Sequence, residues 1–293
     1  MNDPVFSSDS GRQNTIPLRI GRSFVRNFTS MLAGLLVLLV PPGLPAEGIT
    51  PGAREGAVSW TDAAGSLWLF GGMGYDSAGQ YNLLNDLWRY NPATSEWTWM
   101  KGANTADQAG TYGTQGVPAS TNTPGPRDRA VSWTDGSGAL WLFGGFGRDH
   151  PGDYGTINDL WRYNPATSEW TWMKGANTAD QAGTYGTQGV PAASNTPGAR
   201  WCSTSWTDAT GGLWLLGGFG FDGVGSPGRL NDLWRYDTAT NQWVWIKGAN
   251  TIHQTGAYGT LGVPAAANRP GARDWPVSWT DGSGGLWLVC TST

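Results

Sequence analysis

The tetrapeptide Pro51-Gly52-Ala53-Arg54 returns as Pro124-Gly125-Pro126-Arg127, Pro197-Gly198-Ala199-Arg200 and Pro270-Gly271-Ala272-Arg273, each 73 residues after the last. Self-similarity at a fixed period is the mark of a stacked architecture, in which each unit buries its apolar surface only against its neighbours. The other landmarks keep the same register: Ser59-Trp60-Thr61-Asp62, Leu67-Trp68-Leu69-Phe70-Gly71-Gly72, Asn85-Asp86-Leu87-Trp88-Arg89-Tyr90 and Trp97-Thr98-Trp99. Asn85 to Ala119 recurs letter for letter as Asn158 to Ala192, which points to a recent duplication. The units run over 51–123, 124–196 and 197–269, with a partial fourth over 270–293.

Within one unit, Ala57 to Thr61, Leu67 to Phe70, Leu87 to Tyr90 and Glu96 to Met100 are short aromatic and apolar runs. They are separated by turn sequences such as Asp62-Ala63-Ala64-Gly65 and Asn91-Pro92-Ala93-Thr94. This pattern predicts four strands, A to D. In strand B, Leu67 and Leu69 point one way and Trp68 and Phe70 the other, so both faces are apolar and the sheet must be covered on both sides. A four-stranded antiparallel sheet packed between copies of itself is a propeller blade. The fold class expected is therefore all-β. It is an incomplete β-propeller, three four-stranded blades plus half of a fourth, either truncated or assembled from several chains. Open blade edges invite oligomerisation.

Gly71-Gly72 after an apolar strand, then Tyr90 and Trp97 seven residues apart, resembles the kelch motif. The form with Asn85-Asp86-Leu87-Trp88 is similar to bacterial kelch proteins related in fold to the galactose oxidase propeller. The resemblance covers residues 51–293. A kelch unit is about 50 residues; the surplus here is Gly102 to Thr123, expected as an irregular connection from strand D to the next strand A. For the galactose oxidases the resemblance implies copper held by two His and two Tyr, one Tyr cross-linked to Cys. This chain departs from that, with only His150 and His253, far apart and in no copper motif. No metal and no cofactor are expected.

Composition narrows the function. Nineteen Trp argue for a packed chain despite 45 Gly and 18 Pro, since each buried Trp removes roughly 150–250 Å² from water. A net charge of −4 without a basic run makes nucleic acid an unsuitable partner. Cys202 and Cys290 are expected as free thiols. Residues 1–46 set Arg12, Arg19, Arg22 and Arg26 before the apolar run Met31 to Val40, then Pro41-Pro42 and a small residue at Ala46. That is the pattern of an export signal, or of an anchor if uncleaved. The propeller of residues 47–293 is thus expected to be exported, or to face outward from a membrane.

Alternating strand direction sends the B-to-C and D-to-A connections to one face and the tight turns to the other. Long loops on a rigid scaffold favour function. The expected ligand contacts are Asp76, Tyr81, Asp149, His150, Tyr154 and Asp222 in the divergent B-to-C loops, with Tyr112, Tyr185 and Tyr258 of the D-to-A inserts. The aromatic rings would stack on sugars or anchor a partner. Asp76, Asp149 and Asp222 either bind ligand or satisfy backbone N–H groups in their turns, and Asp86, Asp159 and Asp232 are read the second way. Arg54, Arg127, Arg200 and Arg273 either ring the axis to draw an anion or bond to neighbouring carbonyls and carboxylates.

No unique catalytic constellation is legible, so the expected function is non-catalytic: an exported module offering its long-loop face to a protein or surface glycan. The alternatives are a galactose-oxidase-like oxidoreductase or glycan-processing enzyme, and a non-functional fragment.

Overall fold

The computed structural model describes residues 49–150 and 152–289. Residues 1–46, expected to form an export signal or anchor, and Pro151 and Cys290 lie outside them. The described residues form strands and turns, and no helix among them is long and apolar enough to cross a membrane.

Each full unit is built on four antiparallel strands in the order A-B-C-D, which Arg200–Trp201 joins in the third unit to make a five-stranded sheet. In the first unit the strands are Val58–Thr61, Leu67–Phe70, Leu87–Asn91 and Glu96–Lys101. The second unit repeats them as Val131–Thr134, Leu140–Phe143, Leu160–Asn164 and Glu169–Lys174. In the third, Thr204–Thr207 pairs with Leu213–Phe221, followed by Pro227–Asp237 and Gln242–Lys247. Val277–Thr280 and Leu286–Val289 form a two-stranded sheet. The A strands of successive units lie side by side, so they are the innermost strands of a propeller arc.

The B-to-C connections are hairpin tips rather than loops. Met73–Tyr75 pairs with Tyr81–Leu83 and with Arg54–Glu55, and the second unit does the same. Gly71 and Gly72 make the kink between the inner and outer parts of strand B. Their φ values of 65° and 93° favour glycine, and a Cβ on Gly72 would meet the Glu55 carbonyl oxygen at 2.6 Å. The kink also turns the Gly72 N–H to the Arg127 carbonyl of the next unit, at 2.8 Å.

The core lies in the joints between units. Val58, Trp60, Trp68 and Phe70 pack against Leu140, Leu142, Trp161, Tyr163 and Trp170 of the second unit. Val131, Trp133, Trp141 and Phe143 meet Leu213, Leu215, Trp234, Tyr236 and Trp243 of the third in the same way. Edge-to-face contacts recur at each joint, Phe70 on Trp170 at 5.6 Å and Phe143 on Trp243 at 5.5 Å. The Trp60 and Trp133 indoles each donate to a backbone carbonyl of the next unit, at 3.1 and 3.0 Å.

The repeated Arg and Asp are a structural pair. Arg200 binds Asp232 through two bonds of 2.7 Å and donates to the carbonyls of Gly198 and Gly217. Asp232 also accepts from Trp234 Nε1 and from the Tyr185 hydroxyl, at 2.7 and 2.6 Å. Arg127 and Asp159 repeat this with Trp161 and Tyr112, and Arg54 pairs with Asp86. Each of these guanidiniums spends four of its five N–H donors on two carbonyls and its Asp partner, so none is poised to draw an anion. Asp86, Asp159 and Asp232 accept from side chains, not from turn N–H groups as expected.

The D-to-A inserts contain no strand, as expected, and each clasps the following unit. Ala119 bridges to Trp170, Ala192 bridges to Trp243, and Asn122 and Asn195 donate to the carbonyls of those same tryptophans at 3.0 Å.

Candidate functional site

The three residues after each repeated Arg are where the units disagree: Glu55-Gly56-Ala57, Asp128-Arg129-Ala130, Trp201-Cys202-Ser203 and Asp274-Trp275-Pro276. They lead into the four inner strands, so the fold gathers them round the axis at the mouth on the long-connection face. The middle residue of each trio has a positive φ: Gly56 65°, Arg129 54°, Cys202 52° and Trp275 54°. Left-handed backbone at three non-glycine residues is strain that the surroundings must hold, and such strain gathers at functional sites. Here backbone bonds hold it. The Arg129 N–H donates to the Gly56 carbonyl, Cys202 to Arg129 and Trp275 to Cys202, at 2.7, 3.1 and 3.0 Å.

This ring of peptides sets unlike side chains next to each other. The Arg129 guanidinium lies over the rings of Trp201 and Trp275, 5.5 and 5.4 Å from their centres. The two indoles meet edge to face at 6.4 Å. Arg129 Nη1 stands 3.2 Å from Asp128 Oδ2, outside hydrogen-bond geometry, and among the described residues its guanidinium makes no hydrogen bond. Apart from that ion pair its donors are unspent, unlike those of Arg127 two residues earlier.

Asp128 is 1% exposed and neither carboxylate oxygen has a hydrogen-bond partner. Burial raises its pKa, Arg129 opposes that, and the nearby Glu55 carboxylate adds to it. Exposed Glu55 receives a long 3.4 Å contact from the Tyr81 hydroxyl. Burial pushes the Cys202 thiol up to about 12, so it is a packed thiol rather than a nucleophile. Asp274 is ion-paired with Arg229 at 2.8 Å. The mouth thus brings together an exposed carboxylate, a buried and strained carboxylate, an unsaturated guanidinium and two indoles. Such a set can bind an anionic sugar and exchange protons with it.

The residues expected from sequence fall into three groups. Tyr81 and Tyr154 are half-exposed at the hairpin tips, Tyr81 against Tyr75 and Tyr154 beneath the Arg148 guanidinium at 5.4 Å. Tyr81 is the one that reaches the mouth. Asp76, Asp149 and Asp222 accept backbone N–H groups: one oxygen of each caps its own hairpin turn, and the other holds Ala106, Ala179 or Ile252 of the insert. Tyr112 and Tyr185 are buried, with rings against Trp161 and Trp234 and hydroxyls on Asp159 and Asp232. Their expected stacking on a ligand gives way to this packing, which leaves no ring face open. His150 packs on the edge of Tyr112 at 5.7 Å, and Tyr258 is exposed. Glu55, Asp128, Arg129, Trp201 and Trp275 were missed. The available signal was the divergence itself, three unlike residues after an unvarying Arg.

A larger cavity lies elsewhere. A trough of about 770 Å³ opens on the tight-turn face between the second and third units, lined by Asp135, Trp141, Arg162 and Glu169 among others. Its central charged pair is already engaged: Asp135 accepts from Trp141 and Ser137, and Arg162 stands 3.7 Å from it. The same trio recurs as Asp208, Trp214 and Arg235, which marks it as architecture. Behind the mouth runs an axial channel of about 330 Å³, lined by the Ser-Trp-Thr triplets of the four inner strands.

No family model matches the sequence. Two curated proteins, each named N-acetylneuraminate epimerase, from Haemophilus influenzae strains PittEE and 86-028NP, are 27% identical to this chain over 141 residues. The match covers 41% of this chain, and the chain spans about a third (34%) of the length of those relatives. A solved structure titled "Structure of YjhT" is similar at 18% identity with a TM-score of 0.43, covering 68% of this chain and 53% of that one. That likeness is too loose to carry a conclusion. The expectation of a non-catalytic protein is corrected here, because the curated proteins that this chain resembles in sequence are named as enzymes.

Proposed function

We propose that this protein is a kelch-type propeller enzyme that inverts the anomeric centre of an acidic sugar of the N-acetylneuraminate class. The observation that carries the reading is the Arg129 guanidinium, stacked on two indoles and held only by an ion pair to Asp128, with the Glu55 carboxylate near that aspartate. A free, planar guanidinium suits a sugar carboxylate, and indole faces suit the apolar face of a pyranose ring. Support comes also from the epimerase relatives, although this chain spans a third of their length.

Arg129 would anchor the carboxylate and Trp275, exposed at the lip, would carry the ring. Glu55 would take the proton from the anomeric hydroxyl as the ring C–O bond breaks, and the ring oxygen would take a proton from solvent water. Reclosure on the opposite carbonyl face returns both protons, so composition is unchanged and no oxidant is needed. Asp128 acts through Arg129 and is a positioning residue. The expected setting is outside the cytoplasm, in keeping with the basic and apolar pattern before residue 47. There a surface glycan is a source of such a sugar.

The test follows the two anomers of N-acetylneuraminate by NMR exchange with the full chain. Acceleration should fall at least tenfold in Glu55→Gln with binding kept, while Arg129→Ala should lose binding of the acid and not of its methyl ester. No acceleration over buffer by the wild type would end this reading.

A further inference from the structure

Of the residues that form the peptide ring at the mouth, Gly56 alone has no side chain, while Arg129, Cys202 and Trp275 hold the same place in their own units. Backbone conformation does not demand this. The φ of 65° at Gly56 is matched by 54° at Arg129, 52° at Cys202 and 54° at Trp275, so this turn accommodates side chains elsewhere. The demand at Gly56 is for space. A Cβ there would stand 3.1 Å from the Asp128 Cβ and 3.3 Å from the Arg129 Cγ, closer than carbon atoms pack without displacement. Backbone cannot relieve that crowding easily, because the Arg129 N–H donates to the Gly56 carbonyl at 2.7 Å. Asp128 cannot yield either, being buried in a strand and paired with Phe146. What must give way is the flexible stem of Arg129.

We infer that Gly56 is a positioning residue for Arg129: its missing side chain lets the arginine stem lie against the peptide ring, which seats the guanidinium on the two indoles and holds it ready for a sugar carboxylate. The ligand half of this rests on the function proposed above, whereas the seat of the arginine does not. The stem starts against Gly56 of the first unit and ends over Trp201 of the third and Trp275 of the partial fourth, at 5.5 and 5.4 Å. A shift forced at Cγ is carried through Cδ and Nε to the guanidinium carbon, so a small displacement at the base spoils the stacking at the tip. Gly56 touches no substrate in this arrangement and acts through the arginine. An acidic sugar is thereby selected by a residue that has no charge and no side chain of its own.

Two substitutions in the full chain separate space from conformation. Asn adopts a positive φ more readily than most residues, yet carries the Cβ that this place excludes. Gly56→Ala and Gly56→Asn should therefore share one phenotype. Gly65→Ala, at a turn glycine of φ 79° where a Cβ would meet nothing within 4 Å, should behave as the wild type. The Arg129 Nε–H resonance, identified by its loss in Arg129→Lys, reads the seat directly, because ring currents of the two indoles displace it. In both Gly56 variants it should move toward the position of an exposed arginine. Calorimetric binding of N-acetylneuraminate should weaken about tenfold in both, with binding of its methyl ester unchanged. Should Gly56→Ala fail to fold, as judged by near-UV circular dichroism, Gly56→Asn carries the test. Wild-type behaviour of Gly56→Asn overturns the inference, since conformation alone would then account for the glycine. So does an Arg129 resonance that stays in place in both variants. A wild type that binds neither acid nor ester ends the proposed function, and the resonance still decides the role of Gly56.

Discussion

The same letters occur twice, from Asn85 to Ala119 and from Asn158 to Ala192, and do not have the same surroundings. Trp170 is fully buried and sits edge to face with Phe70 of the unit before. Trp97, its twin, is half-buried, and Trp99 is 44% exposed where Trp172 is half-buried against Tyr112. Asp159 receives the Tyr112 hydroxyl in addition to Arg127 and Trp161, whereas Asp86 has Arg54 and Trp88 alone among the described residues. A blade therefore does not own its core. Its sequence supplies two half-interfaces, and burial comes from whichever unit stands next to it.

If burial belongs to the joint, one substitution made in both copies should have unequal costs. Trp170→Ala is expected to destabilise the chain by about 3–5 kcal/mol, the usual cost of emptying a buried aromatic site. Trp97→Ala should cost about 1 kcal/mol in dilute monomer, because half of that surface is already in water. Urea unfolding at low concentration measures both, and equal losses would break the comparison. A smaller effect separates the plugs. Tyr185→Phe strips a 2.6 Å donor from buried Asp232 and should cost about 1–3 kcal/mol. Tyr258→Phe should cost nothing measurable, since that ring is 77% exposed.

Strands, turns and the order of the sheet were legible because alternation and turn residues act locally, and the 73-residue register carried them from unit to unit. Leu67–Phe70 was read to the residue, and both of its faces proved to be covered in the second unit, as the double-sided apolar pattern required. The outer hairpins read as loops because Met73–Tyr75 and Tyr81–Leu83 are only three residues each, too short to show alternation, and are held by pairing with Arg54–Glu55 from elsewhere in the unit. The site was hidden for the opposite reason. Glu55, Asp128–Arg129, Trp201 and Trp275 come from different units, 72 or more residues apart along the chain, and only closure around an axis makes them neighbours. Attention went to the longest divergent stretches, which are tips, rather than to the short trios beside an unvarying Arg. The tyrosines misled because a phenol in a polar insert looks like a contact residue, until the Asp and Trp pair of the next unit encloses it.

The finest form of the comparison lies within the second unit, where two buried carboxylates stand near arginines. Asp159 is saturated by Arg127, Trp161 and Tyr112, whereas the Asp128 carboxylate accepts no hydrogen bond and has only the Arg129 ion pair at 3.2 Å. The folded state therefore resists ionisation of Asp128, and burial is the main cause of its raised pKa. A carboxyl whose folded pKa lies above its unfolded value contributes stability that is whole below about pH 4 and is lost as pH rises through the folded value. Asp128→Asn removes that loss. It should melt about 2–4 °C above the wild type at pH 7, of the order expected for 1 kcal/mol in a domain of this size, with the gap closing as pH falls toward 4. Asp159→Asn should move the other way at neutral pH, because Arg127 would then face a neutral partner inside the joint. A stabilised Asp128→Asn that has also lost tight binding of an acidic sugar would show that the mouth gives up stability for a poised guanidinium. Equal destabilisation by both substitutions would place Asp128 with the joints instead.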